Sequence, residues 1–188
     1  MTKIIGGKYK GTTLLVPAGK IVRPTSSIKK ETLFNILTSY FLKINDNNLF
    51  YNKIVLDVFS GTGGLGLESL SRGSKYCYFI EKNKKVISYL EKNCEKILKI
   101  KNYKIFNIDY FNLDIKLLDK KIDIVFFDPP YNYKINNAFF NPISSKINKN
   151  SIFIIETNNK TKVPILENFE LINEKLFKNT KITFLKKT

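Results

Sequence analysis

Ile122-Asp-Ile-Val-Phe-Phe-Asp128-Pro-Pro-Tyr131 decides how the rest of this sequence is read. Its first six residues are almost continuously apolar, the pattern of a strand buried on both faces of a parallel sheet. Two prolines follow at once. Neither has an amide hydrogen and both have a fixed φ, so the ladder must end there. The chain therefore leaves the sheet at its carboxyl edge, with an acid before the prolines and an aromatic ring after them. In open α/β sheets ligands bind at that edge. A plain proline turn accounts for the stop; a clamp for a flat, nitrogen-bearing ring accounts also for Asp128 and Tyr131.

Outward from this stretch, strands and helices alternate. Strands are expected over Ile54–Phe59, Lys75–Ile80, Tyr103–Ile108, Ile122–Phe127 and Ser151–Glu156. Helices are expected over Leu65–Arg72, closed by Gly73, and from the Asn83 cap to about Leu98, with Val86, Leu90, Cys94 and Ile97 inward. Residues 136–146 read as weakly helical. Phe169–Leu176 and Lys181–Lys187 have the spacing of two final strands, antiparallel across the short Lys178-Asn179 connection. Such alternation predicts an α/β, doubly wound, mostly parallel sheet. Before it, Lys3–Ile5 and Thr12–Val16 read as two short strands of a basic, glycine-marked extension over residues 1–26, too poor in apolar surface to fold alone. Residues 27–44 form a helix capped within Thr25-Ser26-Ser27, with Leu33, Phe34, Leu37, Tyr40, Phe41 and Ile44 facing the core. Asn45–Asn48 is a polar joint, and residues 53–188 form the main domain.

With 188 residues and 43% hydrophobic residues, the chain can bury one sizeable core. A net charge of +16 points to a polyanionic partner, nucleic acid being the usual one, although heavy use of Lys, Asn and Ile throughout also raises the charge. Only two arginines occur. Arg72 suits the end of a short helix, whereas Arg23, before Pro24-Thr25, has no such structural use. Lys8, Lys10, Arg23 and Thr25 are the candidate RNA contacts of the extension; ordinary solvated lysines are the alternative. No histidine is present, which excludes Ser-His-Asp and Cys-His catalysis, a histidine base and histidine-ligated zinc. Cys77 and Cys94 lack metal-site spacing and read as buried thiols of a reducing cytosol. No metal, no membrane span, a cytoplasmic location and a monomer are expected.

Asp57-Val-Phe-Ser60-Gly61-Thr-Gly63-Gly-Leu-Gly66 joins the first strand to the next helix. Glycines at such a turn let the backbone approach a ligand. Asp57 would repel a pyrophosphate but suits the ammonium of an amino-acid ligand. Glu81, twenty residues after Gly61, stands where an acid accepts from ribose hydroxyls. Asp109 can accept from an adenine amine, with Tyr110 beside it. An acid for a positive amine, a glycine turn and a ribose acid match the parts of S-adenosylmethionine. The Asp128-Pro129-Pro130-Tyr131 turn then faces the acceptor. An exocyclic amine is a poor nucleophile because its lone pair conjugates with the ring. The Asp128 carboxylate and the Pro129 carbonyl can hold both amine hydrogens, turn the lone pair toward a methyl donor and favour the positive charge that develops. Tyr131 would stack on the base.

Asp57–Gly73, Asp128–Tyr131, the opening Ile4-Ile-Gly-Gly-Lys8-Tyr-Lys10-Gly11, Arg23-Pro24-Thr25 and Glu31–Asn35 together resemble the bacterial 16S ribosomal RNA guanine-N2 methyltransferases, the RsmD family. The likeness runs over essentially the whole chain. It implies a seven-stranded methyltransferase sheet with S-adenosylmethionine as donor. It also implies methylation of a loop guanine in small-subunit RNA, within the assembled or assembling subunit. Carried over residue by residue, Asp57 and the loop with Ser60, Gly61 and Gly63 would line the methionine end of the donor. Glu81 would take its ribose and Asp109 its adenine, and Asp128 to Tyr131 would hold the guanine. Family members usually carry an aspartate and arginines after Arg-Pro-Thr; here the run is Ser26-Ser-Ile-Lys29-Lys30. Adenine-N6 transfer on DNA or RNA, a nicotinamide-dependent oxidoreductase and a non-catalytic RNA-binding protein are the competing readings.

Overall fold

The computed structural model describes residues 2–19, 26–44, 49–130, 133, 135–165 and 167–188. Seven strands form one sheet: β1 (Ile54–Val58), β2 (Tyr76–Glu81), β3 (Tyr103–Asn107), β4 (Ile122–Phe127), β5 (Ile147–Asn158), β6 (Phe169–Leu176) and β7 (Thr180–Lys187), in the order β3-β2-β1-β4-β5-β7-β6. β1 to β5 are parallel, and β7 runs antiparallel to both its neighbours. Every residue of β1 is buried, and all but Asp123 of β4, because both faces of the central sheet are covered. Strand order reverses between β1 and β4, which opens a crevice at their carboxyl ends.

α1 (Ser27–Lys43), α2 (Gly64–Ser71) and α3 (Lys84–Ile97) are the regular helices. Ser26 caps α1 by accepting from the Lys29 amide, and Asn83 caps α3 by accepting from the Lys85 amide. Leu33, Phe34, Leu37 and Phe41 of α1 are buried as their spacing predicts; Tyr40 is half-buried, and Ile44, beyond the last turn, is exposed. Residues 137–146 form two 3₁₀ turns instead of a helix, with Pro142 at the start of the second. β5 starts four residues earlier than expected. Ile147 pairs with Ile122, and a bulge with Asn150 at φ 68° then realigns the strand.

The expected hairpin at the amino terminus is present but short, with one bridge between Lys3 and Thr13 and backbone bonds from the amides of Ile4 to Thr12 (2.9 Å), Gly11 to Ile4 (2.8 Å) and Leu14 to Thr2 (2.8 Å). Other amides of the segment bond to the main domain. The Ile5 amide donates to Glu68 (2.8 Å), that of Lys8 to the Ser71 carbonyl (2.7 Å) and that of Leu15 to Asn93 (2.7 Å). Gly7, at φ 73°, lies so near α2 that an added Cβ would stand 1.9 Å from the Ser71 carbonyl oxygen.

Arg72 does more than end a helix. Its guanidinium donates to Glu68 at 3.0 Å and lies 4.5 Å from the centre of the Phe34 ring. Glu68 is fully buried and also pairs with the buried Lys30 ammonium at 3.1 Å. One carboxylate thus ties the amino-terminal segment, α1 and α2 together. Glu68→Ala strands the Lys30 charge and the Ile5 amide, and should cost about 3–5 kcal/mol. Urea unfolding checks this; a loss under about 1 kcal/mol would mean the cluster does not hold the three elements together.

Candidate active site

A cavity of about 550 Å³ lies over the carboxyl ends of β1, β2, β4 and β5, walled on one side by the start of α1. Its floor is the turn after β1. Phe59 takes φ 58°, a left-handed conformation unusual for an aromatic residue. The Ser60 amide and hydroxyl both donate to the Ile80 carbonyl, at 3.0 and 3.3 Å. Gly61 donates its amide to Glu81 at 3.0 Å, and Asp57 accepts from the Gly66 amide at 2.8 Å. These bonds fold the loop back so that Ser60, Gly61 and Gly64 line the cavity.

The glycines divide by role. A Cβ on Gly64 would meet nothing within 4 Å, so the backbone is open to a ligand there. Gly63, expected to touch the donor, is not in the cavity wall. At φ 86° its missing Cβ points at Leu90 and Leu67, 2.5 and 3.0 Å away, so this glycine serves the turn and the packing of α3. Gly66 likewise faces Phe79 and Cys77 of β2.

Asp57 is 2% exposed. Burial pushes its carboxyl well above the ordinary carboxylate range; the Gly66 amide opposes this, and the charges of Asp128 and Glu81 add to it. Glu81 accepts from two amides, Gly61 and Asn83 (2.8 Å), which hold its carboxylate in the wall with further lone pairs to offer. Asp109, expected to take the adenine, is not in the cavity wall and is joined to it through Lys82, which is. Burial raises its carboxyl, but the Lys82 ammonium at 3.0 Å and the Phe111 amide outweigh this and hold it below its ordinary value. Tyr110 does not face a ligand. It is 1% exposed and donates its hydroxyl to the Phe139 carbonyl at 2.8 Å, because the 3₁₀ turn after Asp109 drives its ring into the core between Phe127 and Phe139.

Asp128, Pro129 and Pro130 all line the cavity, and the Tyr133 amide closes their turn on the Pro130 carbonyl at 3.0 Å. Tyr131 lies outside the described residues, as do Arg23 and Thr25. Lys8 and Lys10 are exposed on the amino-terminal segment. Four charged wall residues escaped the sequence reading: Lys29, Lys30, Lys82 and Glu156. Glu156, two residues before the end of β5, forms an ion pair with Lys29 of α1 at 2.5 Å, and Lys82 bridges Asp109 and the Tyr133 hydroxyl. Glu156 had a signal: it ends an apolar run as Asp57, Glu81, Asp109 and Asp128 do. Lys29 had none, since nothing local says which way the first turn of α1 faces. Among the described residues these acids do not gather into a metal-binding group, and no helix is long and apolar enough to cross a membrane.

Residues 2–186 match the model of the family described as conserved hypothetical protein 95. The ribosomal RNA small subunit methyltransferase D of Buchnera aphidicola from Acyrthosiphon pisum is 32% identical over 175 residues, covering 92% of this chain and 86% of that one. Its namesake in Haemophilus influenzae is 31% identical over 178 residues, covering 92% and 87%. The solved structure of the yhhF protein of Escherichia coli superposes with a TM-score of 0.76 at 26% identity, covering 98% of this chain and 97% of that one. With its reversed strand order and its glycine turn beneath strand-end acids, the chain belongs to the conserved hypothetical protein 95 family, that of the ribosomal RNA small subunit methyltransferases D.

Proposed function

We propose that this chain transfers a methyl group from S-adenosylmethionine to the exocyclic N2 amine of a guanine in small-subunit ribosomal RNA. The observation that carries this reading is the meeting of Asp57, Glu81 and the Asp128-Pro129-Pro130 turn in one cavity at the point where strand order reverses. The names of the relatives supply the RNA, and speak against the nicotinamide-dependent and non-catalytic readings.

The cavity suits the donor. Gly64 leaves room beside the backbone, Glu81 offers lone pairs to two ribose hydroxyls, and the buried Asp57 gains from a nearby cation. Bound there, S-adenosylmethionine supplies an electrophilic methyl group on a sulfonium. Asp128 and the Pro129 carbonyl accept the two hydrogens of the target amine and hold its lone pair toward that methyl. Tyr131, next in the chain, supplies the stacking face. Exposed Lys8 and Lys10 meet the RNA backbone.

Labelled S-adenosylmethionine incubated with unmodified small subunits should leave N2-methylguanine at one site; N6-methyladenine as the product would replace this reading with its nearest competitor. Asp128→Ala should keep donor affinity and lower turnover by roughly 10²-fold, as losing a transition-state acceptor does; unchanged turnover would remove Asp128 from the chemistry.

Donor binding should depend on pH through Asp57. Its carboxyl is raised in the free protein, and a cationic ligand favours the ionised form, so binding displaces a proton wherever Asp57 is protonated. Affinity should therefore fall as pH drops into the acid range, and Asp57→Asn should flatten that dependence. Calorimetry in two buffers of unlike ionisation enthalpy reads the proton directly; no proton release at acid pH would contradict the pairing.

Replacing Lys8 and Lys10 together by Ala should weaken subunit binding and reduce the slope of log affinity against log salt by about 1–2. An unaltered slope returns both lysines to ordinary surface.

A further inference from the structure

Glu156 and Lys29 line the cavity yet have no part in the transfer described above. Phe127 of β4 pairs with Ile155 of β5, the last pair of that ladder, so Asp128 and Glu156 follow one residue further on at neighbouring positions of the sheet edge, and both line the cavity. Both continue the face of the sheet that carries Phe126 and Ile154, which α1 covers; the Phe34 ring lies 6.0 Å from that of Phe126. From α1 comes Lys29, whose ammonium meets the Glu156 carboxylate. Along this wall the charges run Asp128, Glu156, Lys29: acceptor, acceptor, donor.

A structural use explains the pair poorly. The side chains are only 9% and 15% exposed, and taking two charges out of water costs as much as their attraction returns. Lys29 also sits in the first turn of α1, where the helix dipole disfavours a cation and no acid offsets it.

We propose that Glu156 and Lys29 read the Watson–Crick edge of the acceptor base and select guanine; the inference rests on the N2 transfer proposed above and deepens it. Guanine presents, in order, the N2 amine, N1–H and O6: donor, donor, acceptor. With N2 held at Asp128, N1–H falls to the Glu156 carboxylate and O6 to the Lys29 ammonium. Each charge keeps a partner when the base enters, so neither is left stranded. A purine with its amine at Asp128 but an unprotonated N1 turns a lone pair on the carboxylate, and is rejected.

The test uses small subunits reconstituted with RNA that carries either guanine or 2,6-diaminopurine at the target position. Diaminopurine keeps the reactive N2 amine but has no hydrogen on N1. The full-length protein should methylate guanine about 10- to 100-fold faster, as kcat/KM, the range of one bidentate base contact. Glu156→Gln should slow guanine and bring the two substrates to within a few-fold, because a turned amide donates to the bare N1. Its affinity for S-adenosylmethionine should not change. A merely structural role lowers both rates together and keeps their ratio, so a preserved ratio overturns the inference. Equal rates with the unaltered protein overturn it too, and need no variant. If guanine subunits gain no N2-methylguanine at all, the proposed transfer itself fails; if they gain it and the ratio stays fixed, only the base-reading role does. Should Glu156→Gln not fold, Lys29→Met reads the other end of the edge: guanine must slow more than diaminopurine, and an equal loss on both overturns the assignment.

Discussion

Carboxylates at the ends of buried parallel strands need partners, and in this fold the partners are the amides of the next turn. Asp57 accepts from Gly66, Glu81 from Gly61 and Asn83, and Asp109 from Phe111. Each bond anchors a turn or helix at that edge, and Glu81 holds both the turn after β1 and the start of α3, so the sheet edge and the loops above it are set by the same contacts. The cost is electrostatic. Asp57, Glu81 and Asp128 crowd around one space, and the most buried of them is driven toward its neutral form. A cation entering that space relieves a penalty the fold has already met. This is the sense in which the site is preorganised.

A second buried acid has the opposite task. Glu68 is enclosed on all sides by Lys30, Arg72 and the Ile5 amide, and faces no cavity. It holds the amino-terminal segment and α1 against α2. Since α1 also brings Lys29 to Glu156, the wall of the site depends on a packed ionic cluster behind it. The same helix thus ties one lysine to the buried cluster and its neighbour to Glu156, and both reach the cavity wall. Adjacent helical residues point about 100° apart, which allows this division.

Much of this architecture is legible in the sequence, and for definite reasons. β4 and β6 have the bounds that the sequence predicts; in β4 a nearly continuous apolar run ended by prolines leaves little freedom. Acids that close apolar runs mark the sheet edge, so Asp57, Glu81 and Asp128 can be placed together before any coordinates are known. Glycine roles are less legible. Gly63 and Gly64 are neighbours of one type, yet one packs on Leu90 while the other opens to the cavity, and only the backbone path tells them apart. Tyr110 misleads because a ring beside a ligand-facing acid is as easily turned into the core. The amino-terminal hairpin is legible as a pairing but not in its length: Ile4, Gly11 and Leu14 bond across it, while Ile5, Lys8 and Leu15 are drawn to α2 and α3. Lys29 and Glu156 are 127 residues apart, and no local pattern joins them.

Charge is distributed so that the two ends of a nucleotide are treated differently. The chain has 32 basic and 16 acidic residues, and five of the acids (Asp57, Glu81, Asp109, Asp128 and Glu156) stand within two residues of the carboxyl ends of the first five strands. Away from that edge the surface is accordingly more basic than the net charge of +16 conveys. The cavity wall is nearly balanced, with Asp57, Glu81, Asp128 and Glu156 against Lys29, Lys30 and Lys82, so a phosphate backbone is drawn chiefly to the lysines outside it, whereas a base carries no charge and offers amine hydrogens that carboxylates accept. Under the proposed transfer, a nucleotide can satisfy both only if its base leaves the stack and enters the cavity while its phosphates stay outside. Extrusion is least costly for a base that is already unpaired. The same arrangement therefore suits a donor cation and an unstacked base inside the cavity and leaves the backbone to the lysines outside it.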